Sequence, residues 1–420
     1  MIFNRKNLVL NLSLIIFLTI GCKDGNSVYD PDYEPSRPDP VITNITPAGG
    51  YLAGVDSVII YGENFASIAD SITVNFGGSP GVIKKATEDQ LIVRPGTISG
   101  DLLDVRVSVR GAEFFSNTYN YTLFEPFGTY FGLTTSDNPT SALAIDADNN
   151  VYTIINNGGV IRYTKIDEDG AVTTDLTRYP GEVDDNKVAY PVNNTMRFTS
   201  YSAMLIGPDG NLFLAQQSIR AIFTKTFGDG LRESVWGASS SSALKIKSMV
   251  FDNNGYLWVV GSGSNNIHRF TVASKSETKI PFDGDFSAVA FNSTDSELFV
   301  GGLIDSTQQV WKFTIDGNGD LINPELYFDL GQYNTGTVSS LIVASNGELL
   351  IATGNDDASI LRVFPDGRYE PLFEGMLKSG AYSITWRDDE FAVVAISGED
   401  ESSINFLNMY DRTRAGIYGF

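Results

Sequence analysis

The sequence predicts an all-β chain, a small β-sandwich followed by a six-bladed β-propeller. Two observations carry the propeller and a third carries the sandwich. A phrase of strand, tight polar turn and strand recurs six times after residue 124. It is clearest in Ser248–Val260, which reads Ser-Met-Val-Phe-Asp-Asn-Asn-Gly-Tyr-Leu-Trp-Val-Val. Other copies open at Ala142, Ala203, Ala288, Leu341 and, degraded, Ser383. Their second strands begin near Val151, Leu212, Leu257, Leu298, Leu349 and Phe391, about 40–60 residues apart, a spacing that marks radial repeats. Ahead of them, Val105-Arg-Val-Ser-Val109 alternates apolar and polar, as a strand with one buried face does.

Composition narrows the function classes. The formal net charge is −22, with 29 Lys and Arg against 51 Asp and Glu. Nucleic acid is thereby disfavoured, because phosphate binding needs clustered cations. Cys22 is the one cysteine, so neither an intrachain disulfide nor a multi-cysteine zinc site is available. His268 is the one histidine, which removes mechanisms that need two imidazoles.

Taken in order, residues 1–21 read as an export signal. Arg5 and Lys6 precede the mostly apolar run Leu8–Ile20, too short for a spanning helix of about 20 apolar residues. The run ends in Leu18-Thr-Ile-Gly-Cys22, which resembles the lipobox of bacterial lipoproteins. That resemblance implies lipidation of the Cys22 thiol and cleavage just before it. Acyl chains contribute about 0.8 kcal/mol per buried CH2, so a multiply acylated cysteine anchors stably. Residues 22–40 follow as an acidic, Pro-rich tether that has too little apolar content for a core. Lys23-Asp24 partly resembles the surface-export signal of Bacteroidetes lipoproteins.

Residues 41–123 hold short strands punctuated by Gly62 and Gly77-Gly78. The Ile-Thr-Pro-x-Gly-Gly start at Ile45, the Gly-x-Asn-Phe turn at Gly62 and Val-Asn-Phe-Gly-Gly78 resemble the IPT/TIG domain, an immunoglobulin-like sandwich. In surface lipoproteins such a domain is commonly a spacer.

Residues 124–420 hold the six repeats. After each phrase comes a third strand, as in Val160–Tyr163, Ile267–Phe270 and Ile360–Val363. A fourth, less regular strand completes a sheet, and four-stranded sheets repeated radially form a propeller. The Gly-x-Leu-Trp and Ile-x-Arg-Phe patterns resemble NHL-type and gluconolactonase-like propellers. The first interval carries extra length around Tyr179–Asn194, on the pattern of a binding insertion.

Several side chains are candidates for chemistry. Serines recur where inner strands begin: Ser141, Ser202, Ser248, Ser287, Ser340 and Ser383, consistent with crowding at the axis. Tyr201, Phe286, Tyr333 and Tyr382 precede inner strands in four repeats, so they share one face although distant in sequence. Asn355 and Asp356 follow a second strand, which returns to that face. Flat aromatic rings with nearby amides and carboxylates bind sugars, and this mouth is the predicted ligand site. Trp258, Trp311 and Trp386 lie inside strand patterns and read as core between blades. No catalytic residue and no cofactor is assigned. A carboxylate-only Ca2+ site, with Asp285, Asp356 and Asp357 as contributors, is permitted by the oxygen preference of that ion. No Gly-x-Ser-x-Gly elbow stands near His268, which argues against a hydrolytic triad.

Lipobox, tether, IPT/TIG sandwich and NHL-like propeller together resemble Bacteroidetes surface lipoproteins, many of them found with glycan-uptake systems. The resemblance implies a non-enzymatic glycan-binding lipoprotein on the outer membrane, facing outward, with a transporter complex as partner. The alternatives are a lactonase- or lyase-type propeller using a carboxylate-bound divalent ion, and a protein-interaction scaffold in a surface complex.

Overall fold

The computed structural model describes residues 34–408, apart from 179–200 and a number of shorter stretches. Cys22, the signal segment, most of the tether and the insertion at Tyr179–Asn194 lie outside the described residues.

The sandwich has two sheets. One orders Val41–Thr46, Val58–Glu63, Gln90–Arg94 and Val82–Ala86. The other orders Tyr51–Leu52, Tyr119–Phe124, Gly100–Val109, Ile72–Phe76 and Ser79–Pro80. Alternation does what the sequence reading required. Val105, Val107 and Val109 are buried, while Arg106 between them is exposed. With Phe65, Phe76, Ile60 and Leu91 they fill a dry layer between the sheets.

The propeller has six four-stranded sheets among the described residues. In blades one to five the second strand is an almost unbroken buried run, for example Leu212–Gln216 and Leu349–Ala352. Such strands have a neighbouring blade on both faces, so period-2 alternation gives way to continuous apolar sequence. Outer strands such as Ser276–Pro281 are largely exposed and polar, which protects the sheet edges. The polar turn of the repeated phrase is built by its aspartate. Asp252 Oδ1 accepts from the amides of Asn254 (2.8 Å) and Tyr256 (3.0 Å), and Oδ2 accepts from Trp258 Nε1 (2.9 Å). This one carboxylate closes the hairpin and satisfies a wholly buried indole.

Blade six departs from the serial pattern. Its outermost strand, Phe127–Thr129, comes from the start of the propeller and pairs with Ser402–Asn408. Phe127 lies opposite Leu407, and this pairing closes the ring.

The two domains share a core. Leu52 and Val55 of the sandwich pack with Leu372, Phe373, Leu377 and Ile384 of blades five and six. Phe127 meets Phe373 edge-on, with ring centroids 5.9 Å apart. Gly54 is why the approach is close. Its φ is +66°, and a Cβ there would stand 2.7 Å from Met376 Sδ.

Candidate functional site

A cavity of about 1270 Å³ runs down the axis between the inner strands of all six blades. Its walls follow from strand register. In blades three, four and six the inner strand carries a one-residue bulge. Ile246 pairs with Gly261 and Ser248 with Val260, so Lys247 has no partner. Ser287 and Tyr382 occupy the same place in their blades. In blades three and four glycine faces the bulge because a side chain would not fit, whereas in blade six Ile396 and Ala395 stand opposite. A Cβ on Gly261 would stand 2.1 Å from the Lys245 carbonyl oxygen, and one on Gly302 would stand 2.3 Å from that of Asp285.

The bulge residues Lys247, Ser287 and Tyr382 line the mouth, joined by Ser202, Ser339, Asp285, Gln217 and Gln308. Deeper, Leu143, Met204, Met249, Val289, Leu341 and Ile384 share one register and form an apolar collar. Beyond it stand Phe251, Phe291 and Trp386. The cavity is therefore polar at one end and aromatic at the other.

The recurrent serines split into two sets. Ser248 Oγ accepts from the Val289 amide (3.2 Å), and Ser340 Oγ accepts from the Ile384 amide (3.2 Å). Ser287 Oγ donates to the Val338 carbonyl. Each of these bonds ties one inner strand to the next blade, Val338 standing just ahead of the inner strand Ser340–Val343. The crowding expected at the axis is accompanied by stitching between blades.

The predicted aromatic mouth is only partly assembled. Tyr382 lines the cavity and is half-buried. Tyr201 also touches it but is only 3% exposed, its ring edge-on to Tyr163 at 6.2 Å. Phe286 must be corrected. It is 0% exposed, stacked near Phe282 and sunk between blades three and four. The cause is the bulge: Phe286 occupies the place of buried Ile246, one residue before the channel position. A one-residue offset turns a strand side chain to the opposite face. Tyr333 is likewise not among the lining residues and packs edge-on against Tyr369 at 5.0 Å.

Asn355 and Asp356 border a second depression of about 450 Å³ with Gly354, Asp357, Gly336 and Thr337. Thr337 also lines the channel, so the depression adjoins the mouth. Asp356 Oδ1 accepts from the Gly380 amide (2.9 Å), and Asn355 Oδ1 from the Asp357 amide (2.8 Å). Asp285 stands at the channel mouth and accepts from the Gly263 amide (3.2 Å), away from Asp356 and Asp357 in the depression. Among the described residues no three His, Cys, Asp or Glu side chains are grouped to hold a metal ion. Trp386 is half-buried: it packs against the core between blades five and six, as expected, and also lines the channel, whereas Trp258 is buried core alone.

His268 has closer partners than the sequence reading gave it. Its Nδ1 donates to Glu277 Oε1 (2.6 Å), and its Nε2 faces Ser264 Oγ (2.8 Å). Burial pushes the imidazole below its ordinary value, and the carboxylate of Glu277 only partly offsets this. The order serine, histidine, carboxylate matches a nucleophile chain. Ser264 nevertheless borders neither cavity, and its Oγ also reaches the Asn266 carbonyl at 3.3 Å.

Bulge positions were the signal that residue types alone did not carry. Lys247, Ser287 and Tyr382 differ chemically, and only their shared lack of a strand partner unites them.

The architecture is thus an IPT/TIG immunoglobulin-like domain joined to a six-bladed propeller. The IPT/TIG domain model matches residues 40–123. No curated protein matches the chain. Among solved structures, an auxiliary nutrient binding protein from Bacteroides thetaiotaomicron is 13% identical with a TM-score of 0.50, over 90% of this chain and 99% of that one. A second auxiliary nutrient binding protein, from Bacteroides ovatus, is 13% identical with a TM-score of 0.46, over 89% and 99%. A gluconolactonase from Xanthomonas campestris is 14% identical with a TM-score of 0.47, over 67% of this chain and 89% of that one.

Proposed function

We propose that the protein is a non-enzymatic binding lipoprotein, anchored through Cys22 in the outer membrane and facing outward, which seats a glycan in its propeller channel for uptake by a transporter complex. The channel itself carries the reading. At about 1270 Å³ it exceeds the usual small-molecule pocket of roughly 300–1,000 Å³ and has room for several sugar units. Amide and hydroxyl groups at the mouth suit sugar hydroxyls, and the aromatic side chains of Tyr382 and Trp386 border the channel, where they can meet sugar C–H groups. The auxiliary nutrient binding protein of the same fold, whose match spans both domains, supports a binding role.

The test begins with purified protein on a glycan array, followed by titration calorimetry with the strongest hit. The glycan is then recovered after incubation with added Ca2+ or with chelator, and weighed by mass spectrometry. Binding with unchanged glycan mass is expected. A shortened or ring-opened product would favour the lactonase or lyase alternative. Absence of any glycan binding would favour the scaffold.

A further inference from the structure

One end of the sandwich carries large apolar side chains in water. Ile68, Phe114 and Phe115 are 68%, 63% and 56% exposed. They come from two adjacent loops. Ile68 precedes the strand Ile72–Phe76 and the phenylalanines follow Gly100–Val109, and Ile72 lies opposite Val109. The Arg110 amide donates to the Ser71 carbonyl (2.8 Å), joining the loops further.

The chain enters the sandwich at this same end. The Arg37 amide donates to the Gly111 carbonyl (3.2 Å). Asp39 Oδ1 accepts from the amides of Glu113 (3.1 Å) and Phe114 (2.9 Å). These bonds fix the loop backbone, so the rings are held out on a shaped turn. The propeller docks at the opposite end, around Leu52 and Val55. Charges near the tip are mixed, with Arg37 and Arg110 against Asp39, Asp70 and Glu113.

We propose that this tip is a membrane contact: Phe114 and Phe115 dip into the boundary between lipid headgroups and acyl chains, with Ile68 beside them. The proposal rests on the lipid-anchor reading of Cys22. Residues 23–38 link that cysteine to the tip, and even fully stretched they span only roughly 55 Å at about 3.3–3.6 Å per residue. The anchor thus holds the tip at high local concentration near the bilayer, and a weak contact becomes effectively intramolecular. Aromatic rings on a fixed turn lose little entropy on insertion.

The test uses the lipidated full-length chain in phosphatidylcholine vesicles whose acyl chains carry bromine, a contact quencher of indole. Phe114→Trp should be quenched and blue-shifted. Leu326→Trp, on a propeller edge where Leu326 is 44% exposed, should not be quenched. Phe114→Ser with Phe115→Ser should melt like wild type. In a full-length Cys22→Ser background, that pair should weaken residual binding to phosphatidylcholine vesicles about tenfold. If fatty acid labels Cys22 but the indole at 114 stays unquenched, the tip contact is wrong and the anchor stands. If no fatty acid labels Cys22 while residue 114 is still quenched, the anchor is wrong and the tip stands. Equal quenching at 114 and 326 would overturn the orientation.

Discussion

Phe286→Ala and Tyr382→Ala form a pair that tests the bulge register, because both residues stand second in their inner strands, Asp285–Asn292 and Ala381–Trp386, yet occupy opposite environments. Phe286 is fully enclosed among Trp258, Val260, Leu298 and Phe313. Removing such a ring costs about 3–5 kcal/mol through lost transfer energy and an unfilled cavity. In a unit of this size that lowers the melting temperature by roughly 6–10 °C. Tyr382 is half-buried, packs against Leu143 and lines the channel, so its removal should cost only about 1–2 kcal/mol of stability. It should weaken a channel-bound glycan about tenfold. Differential scanning calorimetry and titration with the array-selected glycan read the two quantities separately. The register argument fails if Phe286→Ala melts within about 2 °C of wild type while losing affinity.

Other expectations concern the turns and the anchor. Asp252→Ala removes the acceptor for Trp258 Nε1 and two amides, and should cost about 2–3 kcal/mol, read as a lower urea midpoint with unchanged slope. Burial pushes the Asp146 carboxyl up, but bonds from Asn150, Tyr152 and the Asp148 amide outweigh it and hold the group below its ordinary 3.8. Its stabilisation is therefore full above that pH and lost as pH falls through the lowered value, so melting temperature should drop below about pH 4, and less steeply in Asp146→Asn. Cys22→Ser should abolish incorporation of labelled fatty acid.

The repeated phrase was legible because its physics is local. An aspartate, a glycine and flanking apolar runs suffice to specify a hairpin whose second strand is buried on both faces, and Asp252–Trp258 is built that way. What escaped the sequence was relational. A bulge exists only by reference to the partner strand, so nothing in Asp285-Phe-Ser287 says that Phe286 turns inward. Trp386 looks like Trp258 in its strand context, yet it borders the channel as well as the core, whereas Trp258 is core alone. Ser264 lies in the hairpin turn just before the strand Asn266–Thr271 that carries His268, and the shape of that turn brings the two side chains together. The outer strand of blade six could not be read serially, because Phe127 and Leu407 come from opposite ends of the repeat array.

Phe127–Thr129 has a mechanical consequence. Only Glu125 and Pro126 separate it from the last sandwich strand, and Pro126 is buried. A chain held at its N-terminal end and tugged through its channel carries tension into the ring at its seam, across a three-residue splice. The contact of Leu52 and Val55 with Phe373 and Leu377 runs parallel to that splice and shares the strain. The sandwich thus serves as a clip on the ring, and loosening the clip concentrates force on the pairing that keeps the ring shut.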